Sequence, residues 1–239
     1  MNRTAHQKLE DLREETLSLG AKLVDGIARS TSILLEQDME GAQYQILADD
    51  EYDARTITLE EESIRLMALH APVASELRHA VVVMKMSSEL ERSADLMTNL
   101  CKVARRIFGH PLDDALRSLI GRMGEQAHLL MTQAMNAYAD QDLALATSIS
   151  DMDSYLDDLQ KQFIQTIFES HSAGHIDLPV GIQMAITARF FERIGDHAVN
   201  IARLVQFQLT GTLPPAGDHR RDGRTDWTPI GGFRPEADT

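Results

Sequence analysis

The chain has 239 residues, 43% of them hydrophobic and 5% aromatic, with 23 basic against 37 acidic side chains and a formal net charge of −14. That length and apolar share suit one large folded domain or two small ones with proper cores. The charge argues against nucleic acid or anionic lipid as a partner, since both call for a positive field, and it leaves cation binding open.

The first residues, up to Lys8, lead straight into charged positions without an apolar signal core. No apolar run approaches the roughly 20 residues that a membrane helix needs. Cys101 is the sole cysteine, so an intrachain disulfide is excluded and a reducing compartment is expected. A soluble, cytoplasmic protein without direct membrane insertion follows as the expectation.

Taken in order, the chain reads as helix after helix. Leu12, Leu19, Leu23, Ile27, Leu34 and Leu35 recur at helical spacing over about 9–35. A second helix, about 39–69, carries Ala42, Ile46, Ile57, Ile64 and Leu66. A third covers 71–108 from the break at Pro72. Phe108-Gly109-His110-Pro111 punctuates the chain. The pattern then restarts over 112–139, 142–170 and 178–209, with Pro179 suited to the first turn of the last helix.

The restart is a repeat. At an offset of 104, Gly20 lies on Gly124, Asp38 on Asp142, Ala42 on Ala146, Asp49 on Asp153 and Asp53 on Asp157. Beyond the hairpin the offset becomes 101, placing Glu91-Arg92-Ser93-Ala94-Asp95 on Glu192-Arg193-Ile194-Gly195-Asp196, Asn99 on Asn200 and Lys102 on Arg203. The expected architecture is all-α, a tandem repeat of two three-helix bundles, six helices in all. The first repeat spans 1–109, the second 110–210, and 211–239 reads as a proline- and glycine-rich flexible tail in which Trp227 with Phe233 is the one candidate docking element.

The repeat carries acids in a particular register. Asp49 and Asp53, Glu91 and Asp95, Asp153 and Asp157, and Glu192 and Asp196 are all spaced i, i+4, which places each pair on one helix face where like charges repel. Asp53 with Glu91 and Asp49 with Asp95 are both centred on position 72, where Pro72 breaks the helix. Asp157 with Glu192 and Asp153 with Asp196 are both centred beside Gly174. Four carboxylates should therefore meet at one level of each hairpin, with Asn99 and Asn200 one turn further along the same stripes. Clustered carboxylate and amide oxygens are the ligands of hard and borderline metal ions. The plainer alternatives are an acidic solvated face, or a salt-bridge network with Arg92, Arg193, Lys102, Arg105 and Arg203.

Other groups carry weaker signals. Arg78, Arg13 and Arg117 are candidate phosphate- or partner-facing cations against an ordinary solvated role. Glu76-x-x-His79 has the di-iron spacing but no second copy, and reads as a surface pair. His171 and His175 straddle a turn, and His197 is a candidate outer partner of the second cluster. No nucleophile motif or phosphate-binding glycine loop occurs.

The run Arg189-Phe190-Phe191-Glu192-Arg193-Ile194-Gly195-Asp196-His197-Ala198-Val199-Asn200-Ile201-Ala202 resembles the signature of the PhoU family, the accessory proteins of phosphate-specific transport. Glu89-Leu90-Glu91-Arg92-Ser93-Ala94-Asp95 resembles it in the first repeat, with Ser93-Ala94 replacing the usual Ile-Gly, and 71–78 resembles the family's turn into the third helix. The resemblance covers about 5–210 and implies two three-helix bundles with pseudo-twofold symmetry. It implies multinuclear metal clusters, of iron or of Zn, Mn or Mg, on the four acid pairs. It implies a non-enzymatic negative regulator of phosphate uptake and phosphate-starvation signalling. Such a regulator bridges the ATPase subunit of a phosphate ABC transporter and a sensor histidine kinase, and some members are homodimers. The rival functions are a carboxylate-bridged di-iron enzyme and a metal-free helical adaptor.

Overall fold

The computed structural model describes residues 3–214. Residues 215–239 lie outside them, and with them the docking element posited at Trp227 and Phe233. The described residues form α1 (Arg3–Glu36), α2 (Met39–Leu47), α3 (Asp49–His70), α4 (Ser75–Arg106), α5 (Asp114–Asp140), α6 (Leu143–Ser172) and α7 (Leu178–Thr210), with no strand among them.

Four helices begin on an aspartate whose side chain accepts from the backbone N–H three residues on, at Asp38, Asp113, Asp142 and Asp177. Each satisfies an otherwise orphaned donor and sets the start of its helix. The matched pair Asp38 and Asp142 is thus a repeated cap. The α3–α4 connection turns through Ala71 and Ala74, both with positive φ, and α7 ends on left-handed Gly211.

The expected second helix is broken. At Ala48 the ladder changes, as the Glu51 N–H bonds back three residues to the Ala48 carbonyl and α3 begins without a side-chain cap. The break leaves α2 and α3 as one interrupted arm, so each repeat still has three arms: α1, α2/α3 and α4, then α5, α6 and α7. The matching stretch of α6 is continuous through Met152, whose carbonyl accepts from Gln126. Ile57 and Ile64 also differ from a core role. They are exposed, and α3 instead buries Tyr52, Thr56, Leu59, Ser63 and Leu66.

The two repeats join through α1 against α5 and α4 against α7, while α3 and α6 lie apart on the outside. The α1–α5 contacts are reciprocal. Arg13 donates to the Ala139 carbonyl and Arg117 to the Leu35 carbonyl, so each repeat's first helix is closed by the other's arginine. A Cβ on Gly20 would strike Met135 and one on Gly124 would strike the matched Thr31. These mirrored contacts are those of a pseudo-twofold axis. Buried apolar side chains form one contiguous cluster through both repeats, including Leu19, Ile27, Met86, Leu100, Met131, Phe163 and Phe191. Among the described residues no helix is long and apolar enough to cross a membrane.

Candidate functional site

Each hairpin brings its four acids into one electrostatic group. In the second repeat, α6 supplies Asp153 and Asp157 and α7 supplies Glu192 and Asp196. Burial, and then the charges of Asp157, Asp196 and Glu192, push the Asp153 carboxyl up to about 7. Glu192 is likewise pushed up to about 7 by burial, Asp196 and Asp157, against the pull of Arg189 and Arg193. One Glu192 oxygen pairs with Arg189 at 2.6 Å, and the other is buried with no hydrogen-bond partner. Gly195 is what admits Asp153 so close, because a Cβ there would stand 2.5 Å from Asp153 Oδ1 and 2.7 Å from Leu156 Cδ2.

The first repeat has the same group in a looser setting. Asp49 lies in the opening turn of α3, directly after the Ala48 break, where the helix N-terminus favours negative charge. Burial holds its carboxyl above the usual range, helped by Asp95 and Asp53 and opposed by the Thr98 hydroxyl and Lys102. Glu91 is raised by burial and by Asp95, Asp53 and Asp49, against Arg92. Asp53 and Asp95 are exposed, and Asn99 is half-buried one turn beyond Asp95. Ala94 stands where the second repeat has Gly195, and the Thr98 hydroxyl at the Asp49 carboxyl replaces Val199.

The acids share a level, yet among the described residues no three carboxylate, imidazole or thiol groups converge into a ready coordination set. The donor set nevertheless fits a hard or borderline cation: it is all carboxylate, one buried oxygen lacks a partner, and Gly195 leaves the space that Asp153 occupies.

Asn200 and His197 are turned elsewhere. His197 Nδ1 lies 2.7 Å and Asn200 Nδ2 lies 3.1 Å from Glu89 Oε2 on α4, so both bridge the two repeats rather than the second cluster. Burial alone would raise Glu89, but these hydrogen bonds outweigh it and hold the carboxyl below its ordinary range. Glu89 was missed in the sequence because its partners lie more than a hundred residues away.

The remaining candidates resolve into structural roles. Arg78 donates to the Gln208 carbonyl near the end of α7, and Arg13 and Arg117 cap α5 and α1. Arg105 bonds Gln43 and Arg203 the Pro214 carbonyl, whereas Arg189, absent from the expected salt-bridge network, pairs with Glu192. His79 is no surface group. It packs edge-on against Tyr138, 3.2 Å from its hydroxyl, and burial lowers its pKa. His171 closes its own turn on the Ile176 carbonyl. Cys101 is buried, its thiol pushed up to about 11 by burial, so it is a poor nucleophile.

The PhoU domain family model matches residues 16–104 and 120–205, one match on each repeat. The chain belongs to the PhoU family. It is 31% identical over 216 residues to the phosphate-specific transport system accessory protein PhoU homolog 1 of Mycobacterium tuberculosis, covering 90% of this chain and 96% of that one. It is 29% identical over 205 residues to the PhoU homolog of Caulobacter vibrioides, covering 86% and 89%. Its fold is similar to the crystal structures of PhoU from Pseudomonas aeruginosa, with TM-score 0.82, 26% identity and 87% and 99% coverage. The structure from Streptococcus pneumoniae, at 23% identity, gives TM-score 0.81 with 88% and 99% coverage.

Proposed function

We propose that this PhoU protein is a non-enzymatic accessory regulator of phosphate transport, a cytoplasmic negative regulator of phosphate uptake and phosphate-starvation signalling. In this reading it links the ATPase subunit of a phosphate ABC transporter to a sensor histidine kinase and works as a homodimer. The relatives' role in phosphate-specific transport supports the first part. The burial of the Cys101 thiol and the engagement of His79 by Tyr138 support a binding role over catalysis.

The observation that carries the metal-dependent part is the second cluster, with two carboxyls pushed up to about 7 and a buried, unpartnered Glu192 oxygen. Asp153, Asp157, Glu192 and Asp196 would hold the metal there, and Asp49, Asp53, Glu91 and Asp95 in the first repeat. Bound iron, zinc, manganese or magnesium would supply the positive charge that the facing carboxylates lack. The chain's own contribution is to hold two helices at fixed separation with their acids at one level, so that neutralising the cluster favours one hairpin geometry.

Metal content by plasma mass spectrometry tests this reading on protein reconstituted with each metal and desalted. The Glu192→Ala/Asp196→Ala variant should lose the share of retained metal that the second cluster holds. It should also dock more weakly on the transporter ATPase. Unchanged metal content in that variant removes the second cluster from the account.

A further inference from the structure

Beside the α4–α7 seam, on the side where α3 covers α4, runs an open groove of about 640 Å³ that the acid clusters do not use. Three cations line it: Lys85 and Arg92 on α4 and Arg203 on α7. None makes an ion pair with a carboxylate among the described residues, although acids outnumber bases 37 to 23 in the chain. Arg92 acts at longer range on Glu89 and Glu91 and Arg203 donates to the Pro214 carbonyl, yet three cations gathered in one groove of an acidic protein still give the positive field that an anion site needs.

The groove has two ends. The contacts of Glu89 with His197 and Asn200, and of Arg78 with Gln208, set α4 and α7 antiparallel, with Lys85 level with Arg203. Arg92 lies seven residues further along α4, roughly 10 Å away at 1.5 Å per residue. Ser88 lies between them and adds a hydroxyl. Toward the other end the wall is apolar, made by Met84, Leu204, Leu213 and Pro214. Two carboxylates, Glu60 and Glu89, lie beside Ser88, between Lys85 and Arg92. Glu60 accepts from Ser87 and Ser88, and Glu89 from Asn200, and both retain acceptor capacity for donors on a ligand.

The fold does not demand this chemistry. At matched positions of the other repeat, Glu60, Lys85 and Glu89 are replaced by Ile164, Ile186 and Phe190. Arg92 and Arg203 are matched by Arg193 and Lys102, so Lys85 and the two carboxylates are what this groove has of its own. We propose that the groove binds a small amphipathic anion of the nucleoside-phosphate class. The phosphate end lies between Lys85 and Arg203, the base rests against the adjoining apolar wall, and ribose or base donors meet the two carboxylates that separate this pair from Arg92. A bare oxyanion leaves the apolar wall unused and meets Glu60 and Glu89 without donors. This site is independent of the metal reading.

Isothermal titration calorimetry of the full chain tests it, with ATP, ADP, adenosine and tripolyphosphate in EDTA so that metal on the acid clusters cannot recruit phosphate. ATP or ADP should saturate a single site, and Lys85→Glu and Lys85→Glu/Arg92→Glu should weaken it by at least about tenfold with unchanged circular dichroism. Lys85 is exposed and six residues from the nearest candidate ligand, so its variant leaves the clusters intact. Absence of saturable binding by both nucleotides, or equal affinity in the charge reversals, overturns the proposal. Tripolyphosphate binding as tightly as ATP overturns it in favour of a bare phosphoanhydride. A glutamate-rich peptide that binds where nucleotides do not overturns it in favour of a protein partner.

Discussion

Gly195 and Ala94 occupy matched positions and differ by one methyl group, and the two acid clusters differ accordingly. Without a Cβ at 195, Asp153 reaches the α7 backbone and is desolvated with Glu192. With one at 94, Asp49 takes the Thr98 hydroxyl instead. Gly195→Ala should gain about 1 kcal/mol of helix propensity and lose more than that to the displaced Asp153 and Leu156. The sharper readout is metal. Retention at the second cluster, measured alone in a Glu91→Ala/Asp95→Ala background, should fall, while retention at the first, measured alone in a Glu192→Ala/Asp196→Ala background, should not. Equal retention with alanine at 195 would show that the approach of Asp153 is incidental.

The same residues fix a pH dependence. Asp153 and Glu192 have folded-state values near 7 against ordinary values of 3.8 and 4.5, so the protonated carboxyls favour the folded state. Their contribution is fully present below about pH 4 and is lost as pH rises through about 7. Metal-free protein in chelator should therefore melt at progressively lower temperature from pH 5 to pH 8. The slope should be shallower in Asp153→Asn/Glu192→Gln, which removes both titrating groups while leaving the rest of the −14 charge in place. Parallel slopes in the two proteins would place the pH sensitivity elsewhere.

At the scale of elements, the sequence was most legible where geometry is periodic. Acid pairs at i, i+4 centred on Pro72 and near Gly174 face each other closely enough to couple electrostatically across their hairpins, because antiparallel helices with a short turn hold a constant register. The helix starts were signalled by Asp38, Asp113, Asp142 and Asp177, a cap pattern that the apolar spacing alone does not use. The break at Ala48 left no mark, since Ala, Asp and Glu around it are compatible with an unbroken helix. Directions within a face were illegible for a different reason. Asn200 shares a stripe with Glu192 and Asp196, but a helix surface divides between neighbours, and α4 claims the Asn200 side. Ile57 and Ile64 fit an apolar pattern and yet face outward, because Tyr52, Leu59 and Leu66 already fill the side of α3 that meets α1 and α4. Arginine caps such as Arg13 on Ala139 depend on partners more than a hundred residues away and have no local signal.

At the scale of the molecule, α7 has two obligations. One face carries Glu192 and Asp196 toward α6, and another carries His197 and Asn200 toward Glu89 on α4. Glu89 is a shielded polar node at the α4–α7 junction, set among apolar side chains of the common core. Its side chain is 16% exposed and that of His197 7%, so the pair is shielded and both partners depend on each other for hydrogen bonds. Removing Glu89 leaves His197 buried without that partner, and removing His197 leaves Glu89 with Asn200 alone, both costly for buried polar groups. Glu89→Ala and His197→Ala should each destabilise by about 2–3 kcal/mol, with a coupling of roughly 1–2 kcal/mol in the double variant. Denaturant midpoints measured at constant slope would report it, and Glu89→Gln, which keeps an acceptor oxygen, should recover part of the loss. Additive single effects would mean that the two residues stabilise their own repeats separately. A large coupling would mean that the repeats are clasped through this node, so that a change at the acids of α7 is transmitted to α4 by a single rigid helix.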